Sequence, residues 1–113
     1  MPTLSRCVGV ALAGLAAGPA LALDGVWDAS VRACRDPASH TRLIAEGPTL
    51  SFADATCEIA KRTPLPVGEA WDATVSCTGS FSGTRRMLLL LGKDRTLVLY
   101  REPGLPTLYV RCR

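Results

Sequence analysis

From residue 24 onward the chain is patterned with period two. Trp27, Ala29, Val31 and Ala33 alternate with Asp28, Ser30 and Arg32, and Trp71, Ala73, Val75 and Cys77 alternate with Asp72, Thr74 and Ser76. Such alternation puts one set of side chains on each face of an extended strand. Turn-forming strings recur at the spacing of roughly 8 to 12 residues that short antiparallel strands require. They are "RDPASHT" (35–41), Glu46-Gly47, "TPLPVG" (63–68), "TGSFSG" (78–83), "GKD" (92–94) and "REPGLP" (101–106). The fold expected is all-β, a small antiparallel meander barrel or sandwich of about seven or eight strands.

The same pattern predicts which residues point inward. Trp27 and Trp71 fall on inner faces as core anchors, Leu50 and Phe52 face in, and in "TLYVRC" (107–112) the inward pair is Leu108 and Val110. The run Met87 to Leu91 is apolar on both faces. It reads either as a central strand covered on both sides or as a stripe open to a partner.

The first 22 residues stand apart. Arg6 precedes an uncharged run from Cys7 to Ala22 that ends in Ala20-Leu21-Ala22, and Asp24 follows almost at once. This is the layout of a secretory signal peptide cleaved after Ala22. Gly14, Gly18 and Pro19 interrupt the run, against a spanning helix. Residues 1–22 are therefore read as the signal and 23–113 as one domain, periplasmic or secreted, without stable membrane insertion. A domain of this size builds only a marginal core and needs fastening.

The fastening is written in the cysteines. Cys34, Cys57, Cys77 and Cys112 remain after processing, an even set in an exported chain, which implies two disulfides. No C-x-x-C spacing suggests zinc. "ATCEIAKR" (55–62) and "EAWDATVSC" (69–77), folded as a hairpin about position 67, bring Cys57 opposite Cys77 on the apolar face. That leaves Cys34 for Cys112. The sequential pairing, Cys34 with Cys57 and Cys77 with Cys112, is the rival.

Little in the chain points to catalysis. His40, the single histidine, lies in a polar loop beside Ser39, and no G-x-S-x-G elbow is present. The acids are scattered as single outward positions, and no phosphate-binding glycine loop occurs: "GSFSG" has neither the lysine nor a following helix pattern. No catalytic residue, metal or cofactor is assigned.

Charge is uneven. From Gly83 onward seven bases (Arg85, Arg86, Lys93, Arg95, Arg101, Arg111, Arg113) stand against Asp94 and Glu102, whereas residues 24–82 hold five bases and eight acids. The basic third is either a patch for an anionic partner or a set of solvated outward positions, including Arg111 and Arg113. Nucleic acid is not expected, because no aromatic residues are interleaved with the bases as stacking surfaces.

Two resemblances follow. Trp27, Cys34, Cys57-Glu58-Ile59, Trp71 with Cys77-Thr78-Gly79, and Tyr109-Val110-Arg111-Cys112 together resemble the layout of small exported alphaproteobacterial proteins of unassigned role. "SFSGTRR" (80–86) with "LGKDRTLVL" downstream is similar to the inhibitory loop of bacterial periplasmic lysozyme inhibitors, although Lys93 follows its glycine and "RMLLLL" replaces the aromatic residues between the motifs. The function expected is a non-enzymatic exported barrel that binds a protein or anionic envelope component. The alternative is an inhibitor of a lysozyme-like hydrolase acting through the 80–86 loop. Ser80, Ser82, Arg85 and Arg86 are the candidate partner-binding residues under either reading.

Overall fold

The computed structural model describes residues 23–93 and 95–113. The expected signal segment 1–22 and Asp94 lie outside the described residues. Eight strands form in chain order: β1 (Gly25–Asp28), β2 (Leu43–Glu46), β3 (Thr49–Phe52), β4 (Ala55–Pro64), β5 (Glu69–Gly79), β6 (Gly83–Gly92), β7 (Thr96–Arg101) and β8 (Thr107–Arg111). A one-turn helix, α1 (Val31–Cys34), lies between β1 and β2. Each strand pairs antiparallel with its predecessor and β8 returns to β1, so the meander closes into a barrel rather than a sandwich. Closure removes the unpaired edges that an open sheet would present.

Alternation dictates the filling. Leu43, Leu50, Val75, Met87, Leu89 and Leu97 point inward and are fully buried, together with Trp27, whose Nε1 donates to the Leu23 carbonyl at 2.9 Å. A barrel of this strand number has room for little besides its own side chains. The β4–β5 hairpin folds about position 67 as expected, with Cys57 directly opposite Cys77. A register shift between Ile59 and Lys61 then bulges β4 at Ala60. The disulfides are Cys57–Cys77, inside the barrel, and Cys34–Cys112, on its outer surface.

Three expectations are corrected. The first strand does not run to Ala33. Ser30 accepts a hydrogen bond from the Ala33 N–H at 3.0 Å, caps α1, and turns the chain out of the sheet. Val31 is consequently 60% exposed rather than inward. In β8 the faces are reversed: Tyr109 is buried, while Leu108 is 59% exposed and Val110 shares its outward face. The interior accepts the Tyr109 ring and the stem of Arg111, whose guanidinium lies over the Trp27 ring at 4.4 Å and donates to the Asp24 carbonyl at 2.7 Å. Arg111 is therefore tied into the barrel and is not a solvated outward base. Asp28, expected to be a single outward acid in solvent, is fully buried beneath the segment 35–42.

The Cys34–Cys112 bond closes a loop of sequence separation 78 and links α1 to the end of β8. Loop-closure entropy assigns roughly 4 kcal/mol to such a crosslink. Cys34→Ser with Cys112→Ser is expected to lower the unfolding free energy in urea by about that amount. A loss below about 1 kcal/mol would show that the barrel closes without the bond.

Candidate functional site

The connections 29–42, 53–54, 80–82 and 102–106 gather at one end of the barrel, here called the mouth. They surround a cavity of about 310 Å³ lined by apolar Phe52, Phe81, Leu99 and Tyr109 and by polar His40, Arg42, Asp54 and Arg101. Mouths of barrels are common binding sites because the strands hold the rim while the loops remain free to vary.

One wall is built from Asp28. Its Oδ1 accepts from Thr41 Oγ1 at 2.6 Å, from the Ala29 N–H at 2.8 Å and from Ser39 Oγ at 3.1 Å, and its Oδ2 pairs with Arg42 Nε at 3.2 Å. Burial alone would raise this carboxyl's pKa. The hydrogen bonds of Thr41, Ala29 and Ser39 and the charge of Arg42 outweigh that effect and hold it below the ordinary value. Arg42 meanwhile donates through Nη2 to the carbonyls of Ala33 and Asp36 at 2.9 and 2.6 Å, satisfying acceptors at the end of α1. This network fixes the returning segment and sets His40 on the rim, where it is exposed.

The opposite wall carries the basic residues. Phe81 packs edge-on against Phe52 at 5.9 Å, with the Arg101 guanidinium 4.5 Å and the Arg85 guanidinium 5.7 Å from its centroid. Among the described residues neither guanidinium has an ion-pair partner, and Arg85 Nε is shut from solvent without a hydrogen bond. A second cavity of about 200 Å³ adjoins them, lined by Phe81, Arg85, Arg101, Glu102 and Pro103. Below this wall Ser80 anchors the β5–β6 turn, bonding Asp54 through its N–H at 2.8 Å and its hydroxyl at 2.7 Å. The approach requires Gly79, at φ +117°, where a Cβ would lie 2.5 Å from the Asp54 carbonyl oxygen.

The four residues singled out from sequence are thus divided. Ser80 supports the turn, and Ser82 is exposed at its tip. Arg85 turns inward to Phe81. Arg86 turns outward, where Asp72 receives it bidentately at 3.0 and 2.7 Å and Glu102 lies 3.7 Å away. That bond from Arg86 is the main reason the Asp72 carboxyl sits below its usual range. Arg101, Phe81, Phe52 and Tyr109 escaped sequence reasoning. The signal was present in parity: Arg85 shares the inward face of Met87 and Leu89, and Arg101 that of Leu97 and Leu99. A base on inward parity at a strand end lands on the rim of a barrel.

Among the described residues no group of three or more His, Cys, Asp or Glu is placed to hold a metal ion. Comparison with protein-family models, curated proteins and solved structures returns no match.

Asp28→Asn keeps the shape of the network and removes its charge, and is expected to cost about 1–3 kcal/mol at neutral pH. A carboxyl whose folded pKa is depressed stabilises the fold fully above its unfolded value of about 3.9, and that stabilisation is lost as pH falls through the folded value. Wild-type stability should therefore drop more steeply than that of Asp28→Asn between pH 5 and lower pH in urea titrations. Parallel curves would remove Asp28 from the account of acid stability.

Proposed function

We propose that this protein is a non-enzymatic binding barrel, exported to the periplasm or beyond, that takes an anionic group of a protein or cell-envelope partner at its mouth. One observation carries the reading: Arg85 and Arg101 flank one ring, Phe81, and among the described residues neither forms an ion pair with a carboxylate. Arg42 and Arg86, by contrast, are both satisfied internally. A guanidinium resting against an aromatic ring is weakly hydrated and held in orientation, so its N–H groups meet a carboxylate or phosphate at little entropic cost. Phe52, Leu99 and Tyr109 supply apolar surface beside the charge.

Export is supported by two disulfides, which belong to an oxidising, non-cytoplasmic compartment, and by the signal-like segment 1–22. Against catalysis, His40 is exposed, and among the described residues no hydrogen bond joins it to Ser39 or Asp28, which bond one another instead. A nucleophile–base pair therefore lacks its connection.

The inhibitor reading uses the same rim and draws on one observation, the exposed Ser82 at the tip of the β5–β6 turn beside Arg85. The two readings part in a lysozyme assay. Inhibition of a C-type lysozyme that is lost in Ser82→Ala with Arg85→Ala would favour the inhibitor.

The general proposal is tested by affinity capture from a periplasmic extract on immobilised mature protein. A partner retained by wild type and by Arg86→Ala should be lost, with affinity lowered at least roughly tenfold, in Arg85→Ala with Arg101→Ala. Equal retention by all three proteins would rule out the mouth as the binding site.

A further inference from the structure

The strand register grades the mouth from charged to apolar. On the inward face of β6 and β7, Met87 lies opposite Arg101, and Arg85, two residues before Met87, is the diagonal neighbour of Arg101. One step further in, Leu89 lies opposite Leu99, and Tyr109 of β8 stands opposite Leu97. The inward rows therefore pass from two guanidinium groups at the rim to apolar side chains within. Phe81 and Arg101 line both the cavity of about 310 Å³ and that of about 200 Å³, so the two share a wall.

Three features restrict what such a site can hold. The first is depth. Behind Leu99 and Tyr109 the barrel is filled by Trp27, Leu89 and Leu97, all fully buried. The larger cavity, at about 310 Å³, stands at the lower end of the roughly 300–1,000 Å³ that ligand sites span. It seats one ring or branched aliphatic group and has no room for the long chain of a lipid. The second feature is charge. Asp54 lines the larger cavity and Glu102 the smaller. Carboxylates so placed repel a second negative charge, so a monoanion suits the site better than a more highly charged phosphate. The third is a supply of unused donors. Among the described residues Arg85 Nε is shut from solvent without a hydrogen bond, and none is made by the Tyr109 hydroxyl. Burial pushes the Tyr109 pKa up against the opposing charge of Arg101, so the phenol stays a neutral donor beside the apolar floor.

We infer that the mouth binds a short apolar carboxylate, a single carboxylate carried next to one ring or branched aliphatic group. Arg101, common to both cavities, takes the carboxylate with Arg85 as the second cation, and Phe52, Leu99 and Tyr109 seat the apolar group. The inference rests on the reading of the mouth as an anion site and narrows it. The C-terminal residue of a polypeptide and a free small acid carry this same chemistry.

Binding is read on the mature protein from NMR shifts of the arginine Nε–H groups and of the backbone amides of residues 80–82. The probes are acetate, inorganic phosphate, N-acetylphenylalanine, its primary amide, and a short peptide ending in phenylalanine. N-acetylphenylalanine is expected to bind at least about tenfold more tightly than acetate or phosphate, because it alone covers the apolar floor. Its amide should bind at least about tenfold more weakly, a comparison that needs no variant. Arg101→Ala should lower the acid to the level of the amide, and Phe52→Leu should weaken the acid while leaving acetate unchanged. Tighter or equal binding of the peptide assigns the ligand to chain ends; its exclusion while the free acid binds assigns it to small acids. An amide bound as tightly as the acid would overturn the inference, as would phosphate bound as tightly as N-acetylphenylalanine. Phosphate binding that disappears in Arg85→Ala with Arg101→Ala would then leave the anion site standing without its apolar ligand. Binding of no anion at all would remove the anion site as well.

Discussion

The barrel depends on a narrow seam. β1 is four residues long and meets β8 at two positions, Trp27 with Arg111 and Asp28 with Val110, whereas β4 and β5 pair over most of their length. Without that seam β1 and β8 would be open edges of a curled sheet. Several interactions converge to hold it. Trp27 is fully buried and carries the Arg111 guanidinium on its ring, the Cys112 N–H donates to the Val26 carbonyl at 2.8 Å, and Cys112 is bonded through sulfur to Cys34. The seam is thus closed by packing, hydrogen bonding and a covalent bond at neighbouring residues, which suits a domain too small to close on apolar burial alone.

The mouth follows from the same closure. Asp28 ends β1 at the seam, and its buried carboxylate collects Thr41, Ser39 and Arg42 from the returning segment. A buried charge is tolerated only where such partners meet it, so the segment is tied to the end of β1 at three side chains. Across the opening Phe81 bears Arg85 and Arg101 from the next two strands. The electrostatic contrast is local: one wall has its charges compensated within the fold, and the other holds two guanidinium groups against one ring without an ion-pair partner among the described residues.

Much of this was legible in the chain. The "TPLPVG" turn set the β4–β5 hairpin, and with it Cys57 opposite Cys77, because a cross-strand register follows from the centre of its turn. Pairing of the remaining cysteines came by elimination. The site was less legible. Ser80 and Arg85 do stand at the mouth, but Arg86, their neighbour in sequence, belongs to the outer wall. Adjacent residues of a strand face opposite ways, so a string such as "SFSGTRR" is never a site as a whole. Arg101 is distant in sequence from that string and reaches Phe81 only because β7 lies beside β6.

By itself the sequence determined the all-β class, the turns, the crosslinks and the oxidising compartment they belong to. Each of these is carried by local periodicity or by the count and spacing of one residue type. Only the tertiary structure decided which face of β8 is interior. Leu108 and Val110 are more apolar than Tyr109 and Arg111, yet the barrel takes Tyr109 and Arg111, and the aliphatic pair is left outside. The reason is that both faces of this last strand offer apolar surroundings. One is the core around Trp27, where a guanidinium finds a ring and the Asp24 carbonyl; the other is the outer wall formed with Leu90 and Val98. When both sides of a strand suit apolar side chains, hydrophobicity no longer orients it, and the register to its neighbours does.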